Sequence, residues 1–115
     1  MNFKCLIGLH KYPPGLVYSG DIYIKTCDVC GYIHIFNDKK LEKKFNEDYN
    51  NLQILYDLAR HNIKCHNRFG AEETFKRIDS VYDILKVEYL QYRDIKRLRI
   101  LYDDITEYRK SISIN

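Results

Sequence analysis

The sequence predicts an α+β protein, in which a small β module of residues 1–36 precedes a long antiparallel helical hairpin of residues 37–115. Two observations lead to this prediction. Both prolines and four of the five glycines lie in the first 36 residues, and these residues favour turns. The spacing of apolar residues also changes, from every second residue in the first region to every third or fourth residue after Asp38.

The first region carries the pattern of short strands. Apolar residues alternate around Tyr23 and again around His34, which predicts strands near residues 16–18, 21–26 and 32–36. The segment CDVCG, residues 27–31, lies between the last two predicted strands. We expect it to join them as a β-hairpin.

The second region predicts two helices. The first starts near Asp38, with Asn37 or Asp38 as its N-cap, and the pattern breaks at residues 62–70. The second is predicted to start near residues 71–73, where an acidic pair suits a first turn. No proline or glycine interrupts its apolar stripe, so it is expected to run unbroken to about Lys110.

A second helix of that length would extend beyond the first and leave part of its apolar stripe uncovered. Exposed apolar stripes mark interaction surfaces. Either the β module folds back over this overhang or another chain covers it, for example a second copy in a homodimer. The predicted partner-binding residues on the overhang are Tyr92, Ile95, Arg99 and Tyr102.

Three of the four cysteines and one histidine are concentrated in the first thirty residues. Cys5 and His10 form one closely spaced pair, and Cys27 and Cys30 form a second. Zinc prefers four tetrahedral ligands, which are thiolates and imidazoles in structural sites. The spacing therefore predicts a structural zinc site that stabilises the β module. His34 could replace His10 as a ligand, and a redox pair or a chain without metal are the alternatives.

A second Cys/His pair lies at the end of the first predicted helix. His61 and Cys65 are four residues apart and share one helix face, and His66 follows directly. Two ligands do not make a zinc site, although a symmetric dimer would supply four. The other interpretation is a polar helix end.

The first third of the chain resembles short zinc-ribbon-like proteins that are common in phages and prophages. The segments CLIGLHKY and CDVCG carry the resemblance. The matching residues are Cys5, Gly8, His10, Lys11, Cys27, Cys30 and Gly31. The resemblance implies a zinc knuckle and a phage or mobile-element origin, but it implies no activity.

Charge and motifs narrow the function classes. The formal net charge is +3, and residues 1–37, 38–66 and 67–115 each carry one more basic than acidic residue. This even distribution counts against nucleic acid as the main partner, because nucleic-acid binders concentrate Lys and Arg on one element. No phosphate loop, catalytic carboxylate pair or nucleophile motif is present, so we do not expect an enzyme.

No apolar run approaches the roughly 20 residues of a membrane helix, and the N-terminal run is too short for a secretory signal, so the cytoplasm is the expected location. For a phage-encoded chain this would be the cytoplasm of the host cell. The expected function is binding of a protein partner, such as inhibition of a host or defence factor. The alternatives are a nucleic-acid-binding regulator that reads through the zinc module, and a self-assembling structural protein.

Overall fold

The computed structural model describes residues 10–12, 15–19 and 22–113 of the chain. Over these residues a three-stranded antiparallel sheet precedes three helices, which confirms the predicted α+β class. The elements are β1 (Val17–Ser19), β2 (Ile22–Thr26), β3 (Ile33–Phe36), α1 (Asp38–Lys64), α2 (Arg68–Glu88) and α3 (Ile95–Ser111). Each strand boundary lies within one residue of the predicted one.

The two faces of the sheet have different environments. One row of paired positions contains Tyr23 and Phe36, of which Tyr23 is buried and Phe36 packs against the core. The next row contains Val17, Ile24 and Ile35, which point the opposite way because successive residues of a strand alternate between faces. The sheet therefore docks one face on the helices and turns the other face away from them.

The CDVCG segment joins β2 to β3, as predicted. The Cys27 N–H donates to the carbonyl of Tyr32 at 2.8 Å, and the Gly31 N–H donates to the carbonyl of Cys27 at 3.0 Å. Gly31 has a φ of 75°, a left-handed conformation that glycine adopts without strain. This glycine lets the chain reverse directly after Cys30, so the two cysteines lie on one tight turn.

Helix α1 begins where the sequence predicts and buries the expected stripe. The Asn37 side chain is the N-cap and accepts a hydrogen bond from the Lys40 N–H at 2.8 Å. Residues at a spacing of three or four face the core, and the buried ones are Leu41, Phe45, Leu52 and Ala59. The change in apolar period at Asp38 thus marks the true boundary between sheet and helices.

Helix α2 begins about one turn earlier than predicted, at Arg68. Its N-cap is Asn67, whose side chain accepts a hydrogen bond from the Gly70 N–H at 3.0 Å. A Cβ on Gly70 would lie only 2.4 Å from the Asn67 Nδ2 atom, so the glycine makes room for the cap. The prediction was wrong here because the Asn67 cap, and not the acidic pair at Glu72 and Glu73, sets the first turn of the helix.

The prediction of one long second helix was also wrong. Helix α2 ends at Glu88, and α3 begins only at Ile95. Between them, the buried rings of Tyr89 and Tyr92 pack on Phe45, with ring centroids 5.1 and 4.8 Å from its own. Burying two tyrosines against one core ring outweighs the weak local preference for continued helix.

Because the chain turns at residues 89–94, the predicted apolar overhang does not form. Leu98, Leu101 and Ile105 of α3 are buried in the same core cluster as α1 and α2. The stripe that a longer helix would expose is covered by the chain itself. The buried residues of this stripe are therefore not available to a second copy, and a homodimer of the chain stays a prediction.

One buried carboxylate ties the sheet to the helices. Glu88, the last residue of α2, is 7% exposed and forms ion pairs with Lys25 of β2 and, at 3.0 Å, with Lys44 of α1. It also accepts a hydrogen bond from the Gly15 N–H at 3.1 Å. Burial opposes ionisation, but the hydrogen bond from Lys25 and the other contacts outweigh it and hold the pKa of Glu88 below its ordinary value. We call these contacts the Glu88 latch.

Candidate metal centre

Three metal-ligating side chains meet beside the turn between β2 and β3. His10 lies before β1, Cys27 directly follows β2, and Cys30 lies at the end of the turn. Their ligand atoms are all within 4.8 Å of one another. The Cys30 Sγ atom is 3.4 Å from the His10 Nδ1 atom. These three residues are therefore close enough to hold a metal ion.

The donor set and its spacing suit a tetrahedral ion. Thiolate sulfur and imidazole nitrogen are the ligands of structural zinc sites. With the usual zinc–ligand bond lengths, a tetrahedron places a sulfur and a nitrogen roughly 3.6 Å apart and two sulfurs roughly 3.8 Å apart. The 3.4 Å between Cys30 and His10 is close to the first of these separations.

His10 is held at the turn by the backbone of its neighbour Lys11 and by its own ring. The Asp28 N–H donates to the carbonyl of Lys11 at 2.8 Å, which fastens the segment after His10 to the CDVCG turn. The His10 ring stacks on Tyr32, with centroids 4.4 Å apart and an angle of 7° between the planes. The histidine is thus positioned by contacts that leave its Nδ1 atom beside Cys30.

The turn also favours the ionised form of one thiol. Burial of Cys27 raises its pKa, but hydrogen bonds from the backbone at Cys30, Val29 and Lys11 and from the His10 side chain act more strongly in sum, and the pKa falls to about 6. Thiolate is the form that binds metal. The backbone of the turn therefore prepares Cys27 as a ligand.

The structure distinguishes the two histidines that the sequence left open. His34 lies on β3 opposite Lys25, and its ring stacks on Phe36 with centroids 4.4 Å apart. It does not belong to the group formed by His10 and the two cysteines. Cys5, the fourth predicted ligand, lies outside the described residues.

The four predicted partner-binding residues lie in different surroundings. Tyr92 is 2% exposed and packs in the core, and Ile95 is half-buried against it. Tyr102 stacks on Tyr82 with centroids 4.0 Å apart, and its hydroxyl donates to Asp79 at 2.6 Å. Arg99 is exposed. These four residues therefore do not form the continuous exposed apolar surface that the sequence predicts.

An exposed apolar surface lies instead on the sheet, close to the metal centre. Val17 of β1 is 66% exposed, and Ile33 and Ile35 of β3 are 54 and 55% exposed. Ile24 lies on the same face of the central strand β2 and pairs with Val17 and Ile35. We call these four residues the outer sheet face. Sequence analysis missed this surface, although the apolar alternation in β2 and β3 contains the signal: Tyr23 and Phe36 occupy one face, and the aliphatic residues must occupy the other.

The two described lysines near the centre, Lys11 and Lys25, differ in exposure. Lys25 points to the inner face, where it is paired with Glu88 and its side chain is only 11% exposed. Lys11 is exposed. Because Lys25 points to the inner face, it contributes no charge to the aliphatic outer sheet face.

Comparisons of the chain with protein-family models, with curated proteins and with solved structures gave no match. Among the described residues, no helix is both long and apolar enough to cross a lipid bilayer. The fold and the site thus define an α+β protein with a Cys–Cys–His group that is able to hold a metal ion.

Proposed function

We propose that the chain binds one zinc ion through Cys5, His10, Cys27 and Cys30, and that the metal has a structural role. The observation that carries this proposal is the convergence of the His10, Cys27 and Cys30 ligand atoms within 4.8 Å. A fourth ligand from Cys5 would complete a Cys3His site. A site with four protein ligands is closed and leaves no position for a substrate.

The proposed role follows from the size of the β module. Three short strands bury little apolar surface, since Tyr23 is the one strand residue that belongs to the buried core among those described. Small modules of this kind are commonly stabilised by a metal ion. Zinc would fasten the segment around His10 to the β2–β3 turn and so hold the outer sheet face in place.

Zinc content tests the centre directly. The purified Cys65→Ser variant serves as the reference protein, because Cys65 is the one described cysteine outside the centre. We expect it to retain one zinc ion per chain after gel filtration, counted by elemental analysis. Cys27→Ser, Cys30→Ser and Cys5→Ser in this background should each abolish stoichiometric zinc.

The two histidines provide a matched control pair. His10→Ala should lose the zinc, whereas His34→Ala should retain it, because only His10 lies with the two cysteines. The amides of the β2–β3 turn should exchange faster in the variants that lose zinc. Zinc-free reference protein with a fully protected turn would contradict the proposal, and equal zinc loss in both histidine variants would contradict the ligand assignment.

We further propose that the chain acts by binding a partner protein through the outer sheet face, and that it is not an enzyme. An aliphatic surface of β-branched residues matches an apolar protein surface better than it matches phosphates. The resemblance to phage zinc-ribbon-like proteins makes a host or defence factor the first partner to test. Among the described lysines near the centre, Lys11 is exposed and favours the alternative of a nucleic-acid reader.

A variant pair tests this surface in a pull-down from host lysate. We expect the wild-type chain to retain a partner protein in stoichiometric amount after nuclease treatment and a high-salt wash. The Ile35→Lys variant should not retain this partner. Ile84→Lys, at a position 62% exposed on α2, should retain it. Binding that vanishes with nuclease or salt would instead support the nucleic-acid reading, because phosphate contacts weaken steeply as salt rises.

A further inference from the structure

A second metal-ligating pair lies at the end of α1, on the helical part of the chain. The Cys65 Sγ atom is 3.6 Å from the His61 Nε2 atom, and both residues are exposed. This separation matches the roughly 3.6 Å expected between a sulfur and a nitrogen that share one tetrahedral zinc ion. The pair therefore has the geometry of half a zinc site.

The described part of this chain does not complete that half-site. His66, the nearest further ligand in the sequence, has a left-handed backbone with a φ of 60°. It lines a separate depression with Ile63, Arg68 and Ile112. No third Cys, His, Asp or Glu in the described ranges groups with His61 and Cys65. Within the described ranges, His61 and Cys65 thus leave two positions of a tetrahedral site unfilled.

The same helix face continues as an exposed apolar stripe. Ile54 and Leu58 are 63 and 46% exposed, although they lie in the middle of a long helix. The positions 54, 58, 61 and 65 follow one another at intervals of four, three and four residues. That spacing is the seam of a two-stranded parallel coiled coil, in which each position faces its own copy.

We propose that two copies of this chain dimerise along this seam, and that His61 and Cys65 from each copy together bind one zinc ion. The second copy is the occupant because a two-fold axis along the seam supplies the two missing ligands as a second His and a second Cys. The resulting Cys2His2 set is one of those found in structural zinc sites. Ile54 and Leu58 pack against their symmetry mates beside it.

The seam makes the dimer dependent on the metal. From Ile54 to Cys65 it extends only about 17 Å along the helix, with two apolar positions in each copy. Isolated coiled coils need several heptads of such positions. Without zinc, the apolar part of the seam is too short to hold the two copies together, and the protein is a monomer.

Sedimentation equilibrium of the full chain under reducing conditions tests the proposal. With zinc we expect a dimer that contains 1.5 zinc ions per chain, one from the N-terminal centre and half from the shared site. Excess chelator should convert it to a monomer. Cys65→Ser and His61→Gln should each give a monomer with 1.0 zinc ion per chain, and Leu58→Glu should weaken the dimer at least tenfold.

The zinc count separates this proposal from the first one. A wild-type monomer with 1.0 zinc ion per chain would overturn the shared site alone, and a dimer with 0.5 would overturn the N-terminal centre alone. A dimer that survives both Cys65→Ser and chelation would also overturn the shared site. The reducing agent excludes a Cys65–Cys65 disulfide as the link between copies.

Discussion

Glu88→Ala is expected to lower the free energy of unfolding by about 3–5 kcal/mol, because it leaves a buried lysine without its carboxylate. The Lys25 side chain is 11% exposed and pairs with Glu88 on the inner face of the sheet. The substitution also removes the acceptor of the Gly15 N–H. Urea unfolding of the variant and the wild-type chain, followed by far-UV circular dichroism, measures the difference.

Two further variants test whether the loss of stability comes from breaking the Glu88 latch and not from removing a carboxylate in general. Asp83→Ala removes the partner of Lys86, a pair in which both side chains are more than half exposed, and should change stability by less than about 1 kcal/mol. Lys25→Met combined with Glu88→Leu should recover much of the lost stability, since no buried charge is then unpaired. Equal effects of Glu88→Ala and Asp83→Ala would contradict the latch.

The latch also gives stability a defined dependence on pH. The pKa of Glu88 is lower in the folded chain than in the unfolded one. The stabilisation is therefore fully present above the unfolded pKa and is lost as the pH falls through the lower, folded pKa. The difference in stability between the wild-type chain and Glu88→Gln should accordingly shrink on acidification and stay constant from neutral pH upward.

Phe45→Ala is expected to lower the free energy of unfolding by about 3–5 kcal/mol, since it opens a cavity in the core. Phe45 is fully buried, and the rings of both Tyr89 and Tyr92 rest on it. The loss should be accompanied by faster amide exchange at residues 89–94, because these contacts hold the turn between α2 and α3. Urea unfolding and hydrogen exchange of the same samples measure both effects.

Phe69 offers a control of the same residue type. It is 73% exposed at the start of α2, so Phe69→Ala should change stability by no more than about 0.5 kcal/mol. If Phe45→Ala destabilised the chain but left exchange at residues 89–94 unchanged, the proposed cause of the helix break would be wrong.

Those elements that depend on local patterns were predictable from the sequence. The alternation around Tyr23 and His34 located β2 and β3, and the change of period at Asp38 located the start of α1. Gly31 after the second cysteine indicated the reversal that the backbone shows. In each case the decisive signal lies within a few residues of the element itself.

The helix break at residues 89–94 could not be predicted in this way. Glycine and proline are the residues that usually mark such a break, and this segment contains neither. Tyr89 and Tyr92 also fit the apolar stripe of a continuous helix. What decides the break is their packing on Phe45, more than forty positions earlier in the chain, together with the Glu88 latch.

The metal centre was predictable in part for the same reason. The Cys27–Cys30 pair is a local signal, and its two sulfurs lie where the spacing placed them. Which histidine reaches the cysteines depends on the pairing of the strands. In this pairing the His34 ring stacks on Phe36, whereas His10 lies outside the sheet and reaches Cys30 at the turn. The sequence alone did not contain that register.

The Glu88 latch has a consequence for the order of events during synthesis of the chain. Ribosomes add about 5–20 residues per second, so Glu88 follows Lys25 by roughly 3–13 s. In that interval the nascent sheet has no carboxylate partner and no completed α2 to dock on. All four proposed zinc ligands have by then been synthesised. Zinc binding at the proposed centre would therefore precede docking of the sheet on the helices. The zinc supply would then decide whether the newly made β module stays folded until Glu88 is synthesised.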